Sequence, residues 1–304
     1  MLSRIQFAFT VGYHFIFVPI SIGLAMMVVL AERRHYKSGI PAHMAASNFW
    51  IKLFTTNFAI GVATGITMEF AFGTNWAEYS RFVGNIFGAP LAAEGLFAFF
   101  LESTFLGILL FGRKKVSRGM YYASAWLVMI GTWLSALWIL IANSWQQTPR
   151  GFKVEDGQAI LTDFWAAAFN PSTGPRYVHT MVACLITGCF VIASISAWYL
   201  LKRRHLQFAR NALTSALVVG LVSSAAMPFI GHWHAMEVAA EQPVKMAAFE
   251  SVYQTEKNAT LWLFGWVRDD GRSVSGLGIP SGLSLMLGLD PDHEVTGLSS
   301  VPPE

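Results

Sequence analysis

Six side chains stand out because their chemistry disagrees with their surroundings. His14, Glu94, Glu102 and His179 lie in long apolar stretches, and Lys245 and Glu250 are five residues apart in Pro243-Val244-Lys245-Met246-Ala247-Ala248-Phe249-Glu250. An ionisable group within hydrocarbon costs about 2.5 kcal/mol or more, so each of the first four is a functional candidate. Neutral imidazoles on different helices facing a common interior suit axial ligation of haem iron. A lone intramembrane histidine is equally often a helix-to-helix hydrogen bonder, and sequence position does not separate the two roles. Two carboxylates in one span require protonation, pairing or a polar cavity, which makes them candidate steps of a proton route. Lys245 and Glu250 offer a donor and a proton acceptor to an amphipathic ligand at a membrane surface. The bare pattern also describes an exposed charged pair on an interfacial helix.

The elements that must carry these residues are membrane helices. A hydrocarbon core about 30 Å thick needs roughly 20 apolar residues of helix. Six runs qualify: Ile5 to Leu30, Leu53 to Phe72, Phe87 to Phe111, Met120 to Ser144, Tyr177 to Leu201 and Ala212 to Ile230. The predicted fold class is all-α, a polytopic six-helix bundle over residues 1–230, followed by a loop region over 231–304. The composition agrees. With 54% hydrophobic and only 13% charged residues, and a mean hydropathy of +0.46, the chain has too few charges for a water-facing surface of ordinary size. A net charge of only +3 and 14% aromatics exclude a disordered chain. The basic residues form short clusters between spans rather than one stripe, which argues against nucleic acid.

Those clusters set an orientation. Arg33, Arg34, Lys37 and Lys52 follow the first span; Arg113, Lys114, Lys115 and Arg118 follow the third; Lys202, Arg203, Arg204 and Arg210 follow the fifth. The opposite loops hold fewer, namely Arg4, Arg81, Arg150, Lys153 and Arg176. Short basic loops stay cytoplasmic, so the N-terminus and the region after Ile230 are expected outside. At about 1.5 Å per residue, His14 then sits some 14 Å from the outer side, Glu94 about 10 Å, and His179 near the interface. Glu102 would lie about 12 Å deeper than Glu94 and roughly 80° round the same helix.

Other features have simpler readings. Trp50, Trp76, Trp145 and Trp233 near span ends read as an aromatic belt, and Gly61-Val62-Ala63-Thr64-Gly65 as a close helix contact. Glu69 and Glu78 read as cap or interface residues. Met181 and Met227 are apolar fillers before they are ligands, and Cys184 and Cys189, inside one apolar run, imply neither a disulfide framework nor a zinc motif. No P-loop, dinucleotide fingerprint or nucleophile elbow is present. Nothing in the region after Ile230 reads as a stable domain by itself, and its Val301-Pro302-Pro303-Glu304 end resembles the middle of a loop.

Longer motifs carry a resemblance. Tyr13-His14-Phe15-Ile16-Phe17-Val18-Pro19, the run from Asn57 to Phe70, Phe72-Gly73-Thr74-Asn75-Trp76, Gly88-Ala89-Pro90-Leu91, Glu94-Gly95, Phe100-Leu101-Glu102-Ser103-Thr104 and Leu134-Ser135-Ala136-Leu137-Trp138 resemble subunit I of the cytochrome bd quinol oxidases. The resemblance covers essentially the whole chain. It implies a terminal oxidase of the bacterial cytoplasmic (inner) membrane that oxidises quinol at the outer face and reduces dioxygen to water without pumping protons. It implies that His14 is an axial ligand of a high-spin haem in the oxygen-reducing pair and His179 a ligand of the low-spin haem b, the cofactors including a low-spin and a high-spin haem b. A haem d or a third haem b would complete the cofactors. Glu94 and Glu102 would lie beside the haem pair on the inward proton route, Lys245 and Glu250 at the quinol site, and Arg4 near haem propionates. Subunit II, and a small single-span subunit, are the implied partners. Family members continue into three further helices that supply the second ligand of the low-spin haem, so this chain is expected to stop within the quinol loop and not to turn over alone. Two readings of other classes compete: a non-catalytic transmembrane b-type cytochrome, and a haem-free proton or solute transporter using Glu94 and Glu102.

Overall fold

The computed structural model describes residues 2–268 and 272–300; the chain end from Val301 to Glu304 lies outside the described residues. Among the described residues, six helices are long and apolar enough to cross a membrane. They are α1 (Leu2–Ser38), α2 (Pro41–Gly73), a third span built of α3 (Ala77–Ala93), a π-helical stretch (Glu94–Phe99) and α4 (Phe100–Phe111), then α5 (Arg118–Trp145), α7 (Thr173–Leu201) and α8 (Leu206–Glu241). All six predicted spans are present. Each observed helix extends beyond its apolar run, because a helix propagates cheaply into the polar interface once formed. The last continues past Ile230 to Glu241 and so carries His234 and Glu237.

Close helix approach is bought with small residues. A Cβ on Gly23 of α1 would stand 2.4 Å from Gly188 Cα of α7, so the two backbones meet where neither has a side chain. The main core gathers Leu24, Met27 and Val28 of α1 with Trp50 and Phe54 of α2, Val128 of α5 and Ile192 of α7. Several loop cations on the face holding residues 112–117 are structural as well. Arg113 binds the buried Glu32 at 2.9 Å over the Tyr121 ring, and Arg34 donates to Ser215 Oγ at 2.7 Å.

The other face carries the irregular elements. Between α5 and α7 lie the hairpin β1 (Phe152–Glu155) and β2 (Gln158–Leu161) and the short α6 (Phe164–Ala168). Asp156 and Gly157 turn this hairpin with positive φ of 48° and 72°, the conformation a two-residue type I′ turn demands. Beyond α8 come α9 (Pro243–Phe249), the antiparallel pair β3 (Leu261–Val267) and β4 (Val274–Ile279), and α10 (Gly282–Gly288). Beyond Ile230, Val238, Met246, Ala247, Val252, Ala259, Leu283, Leu287 and Val295 pack into a small core. Apolar residues spread over the end of α8, α9, α10 and the loops between them are too sparse to register as a domain in sequence.

Candidate functional site

His14 is placed by the crossing of α1 and α2. Gly61 and Gly65 keep the facing stripe of α2 small: a Cβ on Gly61 would lie 3.6 Å from Phe17 Cβ, and one on Gly65 only 3.2 Å from His14 Cε1. The predicted helix contact therefore exists, and what it makes room for is the imidazole. His14 Nδ1 lies 2.8 Å from Thr64 Oγ1. That hydroxyl already directs its hydrogen at the α2 backbone, towards Gly61 O at 2.9 Å and Ile60 O at 3.0 Å. Thr64 is thus left to accept from Nδ1–H, which assigns the tautomer whose Nε2 lone pair is free for a metal.

Glu94 and Glu102 face α5. Ser135 Oγ donates to Glu94 Oε1 at 2.7 Å, and Thr132 Oγ1 spends its one hydrogen on Glu102 Oε1 although Val128 O also lies 2.9 Å away. Thr132 and Ser135 are three residues apart and share one helix face, so both carboxylates face the same helix. The predicted offset of roughly 80° assumed an α-helix throughout. The Glu94–Phe99 stretch is instead π-helical, and its i→i+5 turns advance less per residue, taking up that surplus rotation. Pro90, which lacks an N–H, sits one turn before it. Glu102 is 3% exposed and packs on Gly131, where a Cβ would come within 2.7 Å of Glu102 Cγ. Among the described residues no hydrogen bond or ion pair joins His14 to either carboxylate.

His179 projects from α7 into a cleft of ≈ 340 Å³ whose walls include Phe15, Pro19, Leu140, Cys184, Arg176 and His234. Phe15 is the sequence neighbour of His14, so α1 presents one histidine towards α2 and its next residue to this cleft. His179 Nδ1 lies 3.2 Å from His234 Nδ1 of α8. Arg176 Nε is buried without a hydrogen-bond partner among the described residues. Below the cleft mouth, Ser144, Thr148, Asn170, Ser172 and Thr173 form a buried hydrogen-bonded net that fixes the start of α7, and Ser172 Oγ donates to Glu237 Oε1 at 2.5 Å.

Lys245 and Glu250 lie on and just beyond α9. Lys245 Nζ donates to Gln147 Oε1 and, at 3.2 Å, to Gln242 Oε1, which ties α9 to the end of α5. Burial first, then the neighbouring Arg176 charge, lowers the Lys245 ammonium below its usual range, with Glu237 opposing. Burial raises the Glu250 carboxyl. Arg4 is exposed near the start of α1. His234, Thr64, Thr132 and Arg176 are site residues for which sequence reading gave no role. His234 and Arg176 carried a signal, as ionisable residues bordering the last two apolar runs.

A family model for cytochrome bd terminal oxidase subunit I matches residues 2–304. The chain belongs to that family. It is 43% identical over 304 residues to cytochrome bd-II ubiquinol oxidase subunit 1 of Escherichia coli (strain K12), covering 99% of this chain and 59% of that one. It is 43% identical over 262 residues to cytochrome bd ubiquinol oxidase subunit 1 of Bacillus subtilis (strain 168), covering 86% and 56%. The solved bd oxidase from Geobacillus thermodenitrificans superposes with a TM-score of 0.91 at 31% identity, over 99% of this chain and 70% of that one. The chain thus spans less than three-fifths of these two curated relatives. Family and helices together make it a multi-pass membrane protein of that family.

A cytochrome carries haem, and the residues present fit it. Porphyrin supplies four nitrogens, so one or two protein ligands suffice; among the described residues no group of three or more His, Cys, Asp or Glu could cage a bare ion. His14 and His179 each have Nδ1 engaged by the next helix and Nε2 left over. The His179 cleft is mainly apolar, with the unpartnered Arg176 Nε supplying a cation suited to a propionate.

Proposed function

We propose that this chain is the quinol-oxidising, haem-holding part of a terminal respiratory oxidase, with its N-terminus and residues 231–304 on the outer side of a bacterial cytoplasmic membrane. The carrying observation is the pair of imidazoles, His14 and His179, each with Nδ1 held across a helix interface and Nε2 free. Haem, when bound, supplies one-electron redox chemistry and an iron that reduces dioxygen to water. His14 would hold a high-spin haem of the oxygen-reducing pair and His179 the low-spin haem b, the full set being a low-spin haem b, a high-spin haem b and a haem d or third haem b. Arg4 and Arg176 supply cations for propionates.

The remaining side chains handle quinol and protons. Glu250, with its carboxyl raised by burial, is a stronger base once ionised and accepts a quinol proton. Lys245 donates to the quinol oxygen from a position fixed by Gln147 and Gln242. Glu102, on Thr132, and Glu94, on Ser135, form two steps of the route that brings protons from the inner side. Protons released outside and consumed from inside separate charge without a pump, each charge worth about 2.3 kcal/mol per 100 mV. Subunit II, and a small single-span subunit, complete the complex.

The test is a dithionite-reduced difference spectrum, with and without carbon monoxide, on membranes expressing the complete gene with and without His14→Ala. A carbon-monoxide-sensitive haem lost with His14 is expected. A spectrum without haem, or one indifferent to His14, overturns the reading.

A further inference from the structure

We infer that His234 is a positioning residue for His179: it accepts the His179 Nδ1–H and so fixes the imidazole that ligates iron, at the end of a line running Ser172, Glu237, His234, His179. This rests on the proposed haem ligation by His179.

Ligation of iron through His179 Nε2 selects one proton arrangement. The two Nδ1 atoms are 3.2 Å apart, with ring planes at 85°, so one nitrogen must carry the hydrogen and the other the lone pair. A His179 that gives Nε2 to iron keeps its hydrogen on Nδ1 and must donate. His234 then accepts through Nδ1, and as a neutral ring it carries its own hydrogen on Nε2. His234 Nε2 is buried without a hydrogen-bond partner, and so is Glu237 Oε2; the two face each other at 3.9 Å. In this tautomer they are an N–H and a carboxylate oxygen. In the other neutral tautomer two lone pairs would oppose each other.

The helices hold the line in register. His234 and Glu237 are three residues apart on α8, and Ser172 and His179 seven apart at the start of α7, so each pair shares a face. The Ser172 hydroxyl holds the far oxygen of Glu237 at 2.5 Å. An acceptor on the distal N–H of a ligating imidazole increases its electron donation to the metal and orients the ring; removing such a partner commonly costs 10–100-fold in affinity.

The experiment compares His234→Leu, His234→Asn, Glu237→Gln and His179→Ala in the complete oxidase, reading the midpoint potential of the low-spin haem and its rate of transfer to apomyoglobin. Carbon monoxide binding at the His14 haem monitors folding. His234→Leu is expected to raise the potential and speed haem loss about 10-fold. His234→Asn, whose Oδ1 stands where Nδ1 stood, restores both, and Glu237→Gln moves both in the Leu direction by less. Wild-type potential and haem loss in His234→Leu overturn the inference. If the Leu variant does not assemble, Glu237→Gln decides by the same readouts, and no movement there overturns it. A His179→Ala oxidase that keeps its low-spin haem sinks the ligation itself, a failure distinct from that of His234.

Discussion

The two histidine regions are built alike and finished differently. At α1 and α2, His14 is held by Thr64, a hydroxyl whose own hydrogen is committed to the backbone, and the nearby third span offers carboxylates held by hydroxyls. At α7 and α8, His179 is held by a second imidazole, with a carboxylate, an arginine and a lysine within the same corner. The first region is half-buried at the α1–α2 crossing; the second is a cleft between α1, α5, α7 and α8. Hydroxyls change neither charge nor protonation, which suits a site that must only take up protons singly along a route. A corner rich in ionisable groups suits a site where a two-proton donor arrives from the membrane edge.

The largest expected effect separates the regions outright. His14→Ala abolishes the carbon-monoxide-sensitive haem and spares the low-spin band, whereas His179→Ala does the reverse. Loss of both bands in either variant, with the complex assembled, would break the comparison.

Next in size is proton acceptance from quinol. Glu250→Gln should lower quinol oxidation by about 10²–10⁴-fold while leaving oxygen reduction from an artificial electron donor intact. Glu102→Leu should slow both, because the proposed inward route would serve either donor. The pH sign follows from burial. Glu250 holds its proton more tightly in the fold than in the unfolded chain, since its carboxyl is raised. Stability therefore falls with pH between the ordinary carboxylate value and the raised one, and Glu250→Gln flattens that slope. Thermal melts of the detergent-solubilised complex across that window check it.

What could be read in sequence and what could not divide along physical lines. The six spans, His14, Glu94, Glu102, His179 and the Lys245–Glu250 pair announce themselves because apolar runs and misplaced charges are local properties. The partners Thr64, Thr132 and His234 do not, because each contact joins residues 30 to 55 positions apart and depends on which helix faces meet. The π-helical stretch is invisible for a related reason: nothing in Glu94-Gly95-Leu96-Phe97-Ala98-Phe99 distinguishes it locally from an α-helix. The Asp156-Gly157 hairpin belongs with the local features, since the dipeptide itself has a strong turn preference.

Thr64→Val should have a smaller effect. It removes the acceptor for His14 Nδ1–H at nearly constant volume, and loosening of the His14 haem by about 10-fold is expected. Unchanged haem retention would mean that the two histidines do not share a design.

The smallest expected effect is the sharpest. At Gly65 an added Cβ would meet His14 Cε1 at 3.2 Å, so the ring must yield by a few tenths of an ångström. Overpacking of this kind costs about 1–3 kcal/mol, and Ala recovers about 1 kcal/mol of helix propensity over Gly. Gly65→Ala is therefore close to neutral in stability while it tilts the imidazole. Melting should barely move, and the carbon monoxide spectrum of the His14 haem should shift with the low-spin band fixed. Gly131→Ala is the counterpart: its Cβ would fall 2.7 Å from Glu102 Cγ and 3.3 Å from the Glu102 backbone nitrogen, where backbone cannot yield, so destabilisation outweighs the propensity gain. A spectral shift from Gly131→Ala without a change in melting would show that the carboxylate wall, rather than Gly65, sets the His14 ring.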